Sequence, residues 1–173
     1  MSIPATLLKK LVQIPIFHGL TVPEAAEFFE VALEQTLEKG RTLFREGDEG
    51  DALYVILSGE AVVTKKGIEL ATLSTHAVLG EMSLVSPGDT RSATAAAKTD
   101  LAVLKIPSRR VQKLIKADHL AALKVVANLA QVMAQRLAAI NDRLVGGDGK
   151  RKASDARKEE LADFAGILNR WSF

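Results

Sequence analysis

The spacing of apolar residues changes along this chain and divides it into four parts. In the first part, residues 1–35, apolar positions recur at helical spacing, and Thr21-Val-Pro-Glu is typical of a helix start with Thr21 as the N-cap. That pattern predicts a second helix ending near Leu33. Between the two predicted helices, residues 14–20 (IPIFHGL) indicate a tight connector anchored by Phe17. We therefore expect an N-terminal helical segment.

The second part, residues 36–108, has the two-residue period of strands. Short segments rich in β-formers are separated by glycines, and one segment alternates between two faces, Leu53, Val55 and Leu57 on one and Tyr54, Ile56 and Ser58 on the other. Lys65-Lys66-Gly67 indicates a hairpin turn, and Thr94–Ala97 and Leu101–Ile106 predict further strands. This spacing of turns predicts an antiparallel β-barrel of the jelly-roll type.

The third part, residues 109–145, is predicted to be a short helix followed by a long one. The long helix carries an a/d heptad seam, Leu123, Val126, Ala130, Met133, Leu137, Ile140 and Leu144. Its regularity favours pairing with a second copy, that is, a homodimer. The alternative is that the stripe packs on the chain's own barrel, because Leu129 and Val132 extend its apolar character. Lys124 and Asn128 belong to the opposite, polar face.

The fourth part, residues 146–173, begins with glycines that predict a flexible linker and continues as an amphipathic tail helix. Trp171 near its end is interpreted either as an aromatic lid on a ligand or as a residue packed on the barrel or a partner. Together, the four parts predict an α+β fold, a helix-flanked antiparallel β-barrel with N-terminal helices and a long C-terminal helix.

Composition narrows the class of protein. The chain has 173 residues, 47% of them hydrophobic and 25% charged, which is typical of a globular domain. Its net charge of +2 does not favour nucleic acid or a membrane surface as a partner. There is no cysteine, so disulfides and thiolate metal sites are excluded. We expect a cytoplasmic protein without a membrane span or metal, and the histidines suggest no catalytic constellation, so we do not expect an enzyme.

Residues 80–94 (GEMSLVSPGDTRSAT) carry the chemistry. Gly80 and Glu81 open a short apolar run whose amides would favour an anion, and Arg91 supplies a guanidinium suited to phosphate oxygens. Glu81, when ionised, accepts hydrogen bonds and therefore suits a hydroxyl. A phosphate fused to a ribose with a free 2′-hydroxyl satisfies all three requirements, and that ligand is a cyclic nucleotide.

The same stretch resembles the phosphate-binding cassette of the cyclic nucleotide-binding domain family, which includes catabolite activators, kinase regulatory subunits and gated channels. With IPIFHGL and EGDEGDALYVILSGEAVV (46–63), the resemblance covers roughly four fifths of the chain. It implies that Glu81 binds the ribose 2′-hydroxyl and Arg91 the phosphate oxygens, with the amides of Ser83 and Ala93 completing the phosphate shell. The ligand-binding residues implied are Gly80, Glu81, Met82, Ser83, Arg91, Ser92, Ala93 and Asn141.

Two further positions bear on the base of the nucleotide. The resemblance places Ser92 where alanine is usual for cAMP and threonine frequent for cGMP, and a serine hydroxyl suits either base. A polar pair that contacts adenine in the activators corresponds here to Ile140 and Asn141, of which only the asparagine can bond a purine. We favour cAMP over cGMP.

The chain also departs from the family pattern. Thr90 stands where a proline often precedes the arginine, and the 24 residues 150–173 are too few for the helix-turn-helix domain of the activators. The resemblance then implies a stand-alone receptor that signals to an unknown protein effector. One alternative is an interaction or scaffold protein that retains the fold without binding nucleotide, which the intact Glu81 and Arg91 disfavour. The other is a fragment of a larger channel or kinase, which Met1 and the terminal Trp-Ser-Phe weigh against.

Overall fold

A computed structural model describes residues 3–86 and 88–146 of the chain. Helices lie at both ends of a region of eight strands. In chain order the elements are α1 Ala5–Leu11, a 3-10 turn Pro15–Phe17, α2 Val22–Phe29, β1 Leu33–Leu37, β2 Thr42–Phe44, β3 Ala52–Ser58, β4 Ala61–Lys65, β5 Ile68–Leu73, β6 Val78–Leu79, α3 Met82–Val85, β7 Thr94–Ala97, β8 Leu101–Pro107, α4 Ser108–Lys116 and α5 Leu120–Gly146.

Helix α2 begins where the sequence predicts. The Thr21 hydroxyl accepts from the Glu24 amide (3.4 Å), and a Glu24 carboxylate oxygen accepts from the Thr21 amide (2.8 Å), a complete capping box. The predicted end near Leu33 is wrong, because the helix stops at Phe29 and Leu33 already pairs with Lys105 as the first residue of β1. Pairing with β8 thus overrides the helical spacing of this segment.

The strands form two four-stranded antiparallel sheets, in the orders β1-β8-β3-β6 and β2-β7-β4-β5. This confirms antiparallel sheets flanked by helices and corrects the predicted closed barrel. The described strands pair within each sheet, and the two sheets pack face to face. Alternate side chains fill the space between them, so the apolar faces are buried without closure.

Strand β3 separates the two parts of the core, as its alternation predicts. Leu53 and Val55 face the helices, while Tyr54 and Ile56 face the second sheet. The helical side contains a cluster of aromatic rings, with the Phe17 centroid 4.9 Å from that of Phe29. Phe17 is fully buried, which confirms its role as the anchor of the connector.

The predicted hairpin turn and the predicted return to helix are confirmed. Lys66 and Gly67 both have positive φ (49° and 79°), as the hairpin between β4 and β5 requires. The chain returns to helix directly after Pro107, first as the short helix α4 and then as the long helix α5. None of the described helices has the length and apolar character required to cross a bilayer.

Two polar residues of α5, Lys124 and Asn128, bond to other parts of the chain. Lys124 Nζ donates to the Glu24 carboxylate (2.7 Å) and the Gly19 carbonyl (3.4 Å). Asn128 Nδ2 donates to the carbonyls of Ile16 (3.3 Å) and His18 (2.7 Å). These bonds satisfy carbonyls of the N-terminal connector that regular secondary structure leaves open, so they fasten the long helix to the connector.

The Glu24–Lys124 pair predicts a pH dependence of stability. The hydrogen bond from Lys124, followed by that from the Thr21 amide, lowers the pKa of Glu24 from 4.5 to about 2. Because the unfolded chain binds this proton more tightly, the pair's contribution is present above pH 4.5 and is lost as the pH falls toward 2. We expect Glu24→Gln to flatten the fall in unfolding free energy across that window, measured by urea denaturation at a series of pH values.

The matched control is Glu34→Gln, which removes an exposed carboxylate on β1 and should leave the acid-side fall unchanged. A Glu24→Gln variant that loses stability with acid as steeply as the parent would contradict this assignment.

Candidate functional site

Arg91 lies at the centre of the candidate site and is 6% exposed. Its amide donates to the Asp48 carbonyl (2.7 Å), and its carbonyl accepts from the Gly47 amide (2.9 Å). The loop between β2 and β3 is therefore bonded to the backbone on either side of the arginine side chain. These two backbone hydrogen bonds, in addition to the contacts of the side chain, hold the charged Arg91 inside the fold.

The guanidinium uses part of its donor capacity. Nη2 donates to the Ala52 carbonyl (2.8 Å) and to Asp51 Oδ1 (3.1 Å), and Nη1 makes a long bond to the Gly80 carbonyl (3.4 Å). Cζ lies 4.3 Å from the Phe44 ring centroid and 5.6 Å from that of Tyr54. Buried Nε has no hydrogen-bond partner in the described part of the chain. The site therefore retains positive charge and an unused donor.

Gly80 allows this arrangement by lacking a side chain. Its φ is +70°, and a Cβ built on it would overlap Arg91 Nη1 and come within 3.0 Å of the Ala52 carbonyl oxygen. Both the backbone conformation and the available space therefore require glycine here.

Asp51 is shared between two cations. One carboxylate oxygen bonds Arg91, and the other lies 2.6 Å from Lys105 Nζ. Partial burial acts to raise the pKa of Asp51, but the hydrogen bond and charge of Lys105, followed by the charge of Arg91, hold it below its ordinary value. Burial acts to lower the pKa of Lys105, and the Asp51 bond raises it overall. All three groups are therefore charged near neutral pH.

The residues after Gly80 form helix α3, which has only four residues. Glu81 is half-buried at its N-terminal flank, and Met82 is 44% exposed. Ser83 is buried, its amide donates to the Gly80 carbonyl (3.1 Å), and its hydroxyl has no partner among the described residues. The helix turn therefore uses the Ser83 amide that was expected to face a phosphate.

The structure brings the remaining expected residues together only in part. Ser92 is exposed next to Arg91, and Ala93 is half-buried against the core between the sheets. The structure does not describe Trp171 or the side chains of Ile140 and Asn141. The side chains in the C-terminal half of the predicted dimer seam also lie outside the described part.

Two bonds connect this region to the C-terminal helices. Gln112 Nε2 on α4 donates to the Leu84 carbonyl of α3 (3.1 Å). The Ser108 amide, at the start of α4, donates to the Asp51 carbonyl (2.9 Å). Asp51 thus contacts Arg91 through its side chain and the first residue of α4 through its backbone.

Sequence reasoning missed four contributors to the site, namely Phe44, Asp51, Tyr54 and Lys105. Asp51 stands in the Gly-Asp-Glu-Gly-Asp stretch that ends directly before β3, and this acidic turn was the available signal. Its pairing with Arg91 and Lys105 depends on the sheet register, in which Lys105 lies opposite Tyr54.

A cavity of about 900 Å³ lies elsewhere, lined in part by Leu37, Arg41, Ser58 and Asp100. It lies at the opposite end of β3 from Ala52, the residue that accepts from Arg91. No buried side-chain donor or acceptor among its lining residues lacks a partner in the described chain. The Arg91 region is therefore the better candidate for a ligand site.

A substitution at Gly80 tests this packing. We expect Gly80→Ala to lower the unfolding free energy by about 1–3 kcal/mol more than Gly67→Ala, because it adds an overlap with the enclosed guanidinium. Gly67 is a matched control, since its φ of +79° imposes similar backbone strain but a Cβ added there would meet nothing within 4 Å. Urea denaturation measures both, and equal losses would show that Arg91 does not restrict this position.

Known proteins are similar to this chain in sequence and in fold. The family model described as the cyclic nucleotide-binding domain matches residues 34–118, which include the β-sheets, Arg91 and α4. The cAMP-dependent protein kinase regulatory subunit of Yarrowia lipolytica is 37% identical over 64% of this chain and 30% of its own length. The cyclic AMP receptor protein of Thermus thermophilus is 33% identical over 71% of this chain and 57% of its own length.

One solved structure is also similar to this chain. The N-terminal domain of a transcriptional regulator from Streptomyces coelicolor A3(2) has a TM-score of 0.61 and 33% identity, over 79% of this chain and 94% of that domain. The chain thus spans about a third to just over half of the two curated relatives and nearly all of this solved domain. The match over residues 34–118, together with these relatives, shows that this chain belongs to the cyclic nucleotide-binding domain family.

Proposed function

We propose that this chain is a cytoplasmic, non-catalytic receptor that binds a purine cyclic monophosphate, cAMP in preference to cGMP, and signals through its C-terminal helices to a protein partner. The observation that carries the proposal is the enclosed guanidinium of Arg91. It is 6% exposed, its Nε has no partner in the described chain, and it belongs to a trio whose net charge is +1. A singly charged phosphodiester would neutralise that charge.

The phosphate would lie between Arg91 and the start of α3. Its oxygens would accept from the spare guanidinium donors, an arrangement that suits the planar fork of arginine. The Ser83 amide would exchange its bond to the Gly80 carbonyl for one to the phosphate, and the Ser83 hydroxyl, which has no partner among the described residues, would be a second donor. Because α3 has only four residues, we assign most of the attraction to Arg91 and little to a helix dipole.

The sugar and the base would extend from this anchor. We assign Glu81 to the ribose 2′-hydroxyl, because a half-buried carboxylate beside Gly80 is an acceptor next to the phosphate position. Exposed Ser92 and the helix position of Asn141 remain our candidates for the base. The preference for cAMP is supported by the names of the kinase subunit and the receptor protein, both of which specify cAMP.

The signal would travel by a shift between two arrangements of α4 and α5. Ligand that draws α3 toward Arg91 would move the Leu84 carbonyl, which accepts from Gln112 of α4. Movement of Asp51 would act on the Ser108 amide at the start of the same helix. Both contacts give nucleotide binding a physical route to the C-terminal helices.

We also propose that α5 pairs with a second copy of the chain. The helix has two apolar faces, and Val125, Leu129 and Val132 of the first are buried in the chain's own core. On the second face, the predicted seam, Leu123 is 40% exposed and Ala130 is exposed. Although Met133 of this seam packs against the chain's own core, the exposed Leu123 and Ala130 favour a homodimer.

Calorimetric titration of the purified chain tests the ligand. We expect cAMP to bind more tightly than cGMP, 2′-deoxy-cAMP or linear 5′-AMP. Arg91→Ala should weaken cAMP binding by about a hundredfold or more, because a bound phosphate would lose its charged partner. Arg91→Lys should recover little, since an ammonium lacks the planar fork.

The variant should remain folded, because Asp51 keeps Lys105 as its partner. Arg41→Ala, which removes an exposed arginine beside the distant cavity, is the matched control and should bind as the parent does. Absence of binding to every cyclic nucleotide would favour the scaffold interpretation, and unchanged affinity in Arg91→Ala would reject the site.

Light scattering tests the assembly. We expect the parent to be a dimer and Leu123→Asp to shift it toward monomer, because a carboxylate would be buried in the seam without a partner. Leu33→Asp is the control, since Leu33 is 49% exposed and belongs to β1 and not to the helix. A monomeric parent, with and without saturating cAMP, would contradict the dimer.

A further inference from the structure

The carboxylate of Asp51 bonds two cations, Arg91 in the loop before β7 and Lys105 on β8. Its Oδ1 accepts from Arg91 Nη2 at 3.1 Å, and its Oδ2 accepts from Lys105 Nζ at 2.6 Å. We infer that Lys105 is a positioning residue for nucleotide binding, which raises affinity by sharing the Asp51 carboxylate and so weakening its hold on Arg91. The inference rests on the proposed function, since it concerns the same phosphate site.

The position of Lys105 is fixed by the sheet. It lies on β8, between β1 and β3, where it pairs with Leu33 on one side and Tyr54 on the other. Its Nζ is 5.8 Å from the Tyr54 ring centroid, and its side chain is 28% exposed. A lysine so placed has its stem restricted by neighbouring strands, and its ammonium reaches the Asp51 carboxylate at the strand's edge.

The competition follows from charge. Arg91 and a phosphate attract each other, and Asp51 attracts Arg91 away from the phosphate. Lys105 weakens that opposing attraction, because it occupies one oxygen of Asp51 with a shorter bond than the arginine makes. Without Lys105, Asp51 would pair with Arg91 alone, and the net charge of the group would fall from +1 to zero.

Both consequences oppose an anionic ligand. A full pairing with Asp51 would have to be broken or shared when the phosphate arrives, and the residual positive charge would be gone. Lys105 is 54 residues from Asp51 in sequence and lies outside the 80–94 cassette. It therefore acts on the ligand through the Asp51 carboxylate. Its loss should therefore matter only while Asp51 is charged.

A double-mutant cycle with cAMP, or with cGMP if the parent binds it more tightly, tests the inference by calorimetry. We expect Lys105→Met to weaken binding by about tenfold, within the range of couplings between contacting residues. Lys105→Arg, which keeps the charge, should stay within about twofold of the parent. In the Asp51→Asn background, Lys105→Met should change affinity by less than about twofold, because no carboxylate remains to be released.

Lys98→Met is the matched control, since Lys98 Nζ donates to the Thr72 hydroxyl (3.0 Å) and pairs with no carboxylate among the described residues. Lys105→Gln is measured beside Lys105→Met, so that a folding defect of either neutral variant, detected by urea denaturation, leaves the other to decide. Parent-like affinity in the folded neutral variant would overturn the inference, as would an equal loss in the Asp51→Asn background. A parent chain that binds no cyclic nucleotide would instead reject the proposed function on which the inference rests.

Discussion

An arginine that is almost removed from water governs the arrangement around it. A guanidinium does not release its proton in a protein, so acceptors must be brought to it. Here the acceptors are Asp51, directly before β3, Ala52 at its start, and Gly80 ahead of α3. Phe44 of β2 covers the face of the guanidinium. The segments that form the site therefore meet because each supplies the guanidinium with a hydrogen-bond acceptor or an aromatic face.

Local features of the fold were predictable from sequence, whereas long-range ones were not. The capping box of Thr21 and Glu24 spans three residues, and Gly80 precedes Arg91 by eleven, so both patterns are visible in one stretch of chain. Asp51 is 40 residues from Arg91 and 54 from Lys105, and these meetings depend on the register of β3 against β8. No local pattern reports that register, nor whether two sheets close into a barrel.

Helix α5 shows a second limit of sequence patterns. Polar side chains at helical spacing predict a face toward water, yet Lys124 and Asn128 point to backbone carbonyls of the connector that precedes α2. A polar side chain on a helix donates equally well to water or to a backbone carbonyl, and the sequence does not show which of the two it will meet. Likewise, the apolar pattern combined two stripes, of which the one through Leu129 is buried and the one through Leu123 is partly exposed.

The core on the helical side of β3 includes residues outside 34–118, the segment that the family model matches. Residues 34–118 contain Leu53 and Ile106, but Phe17, Phe28 and Leu129, which belong to the same buried cluster, come from before and after that segment. A polypeptide trimmed to the matched segment would present the outer face of its first sheet to water. The matched segment therefore lacks part of the apolar surface that buries this sheet face, and the helices before and after it complete the core.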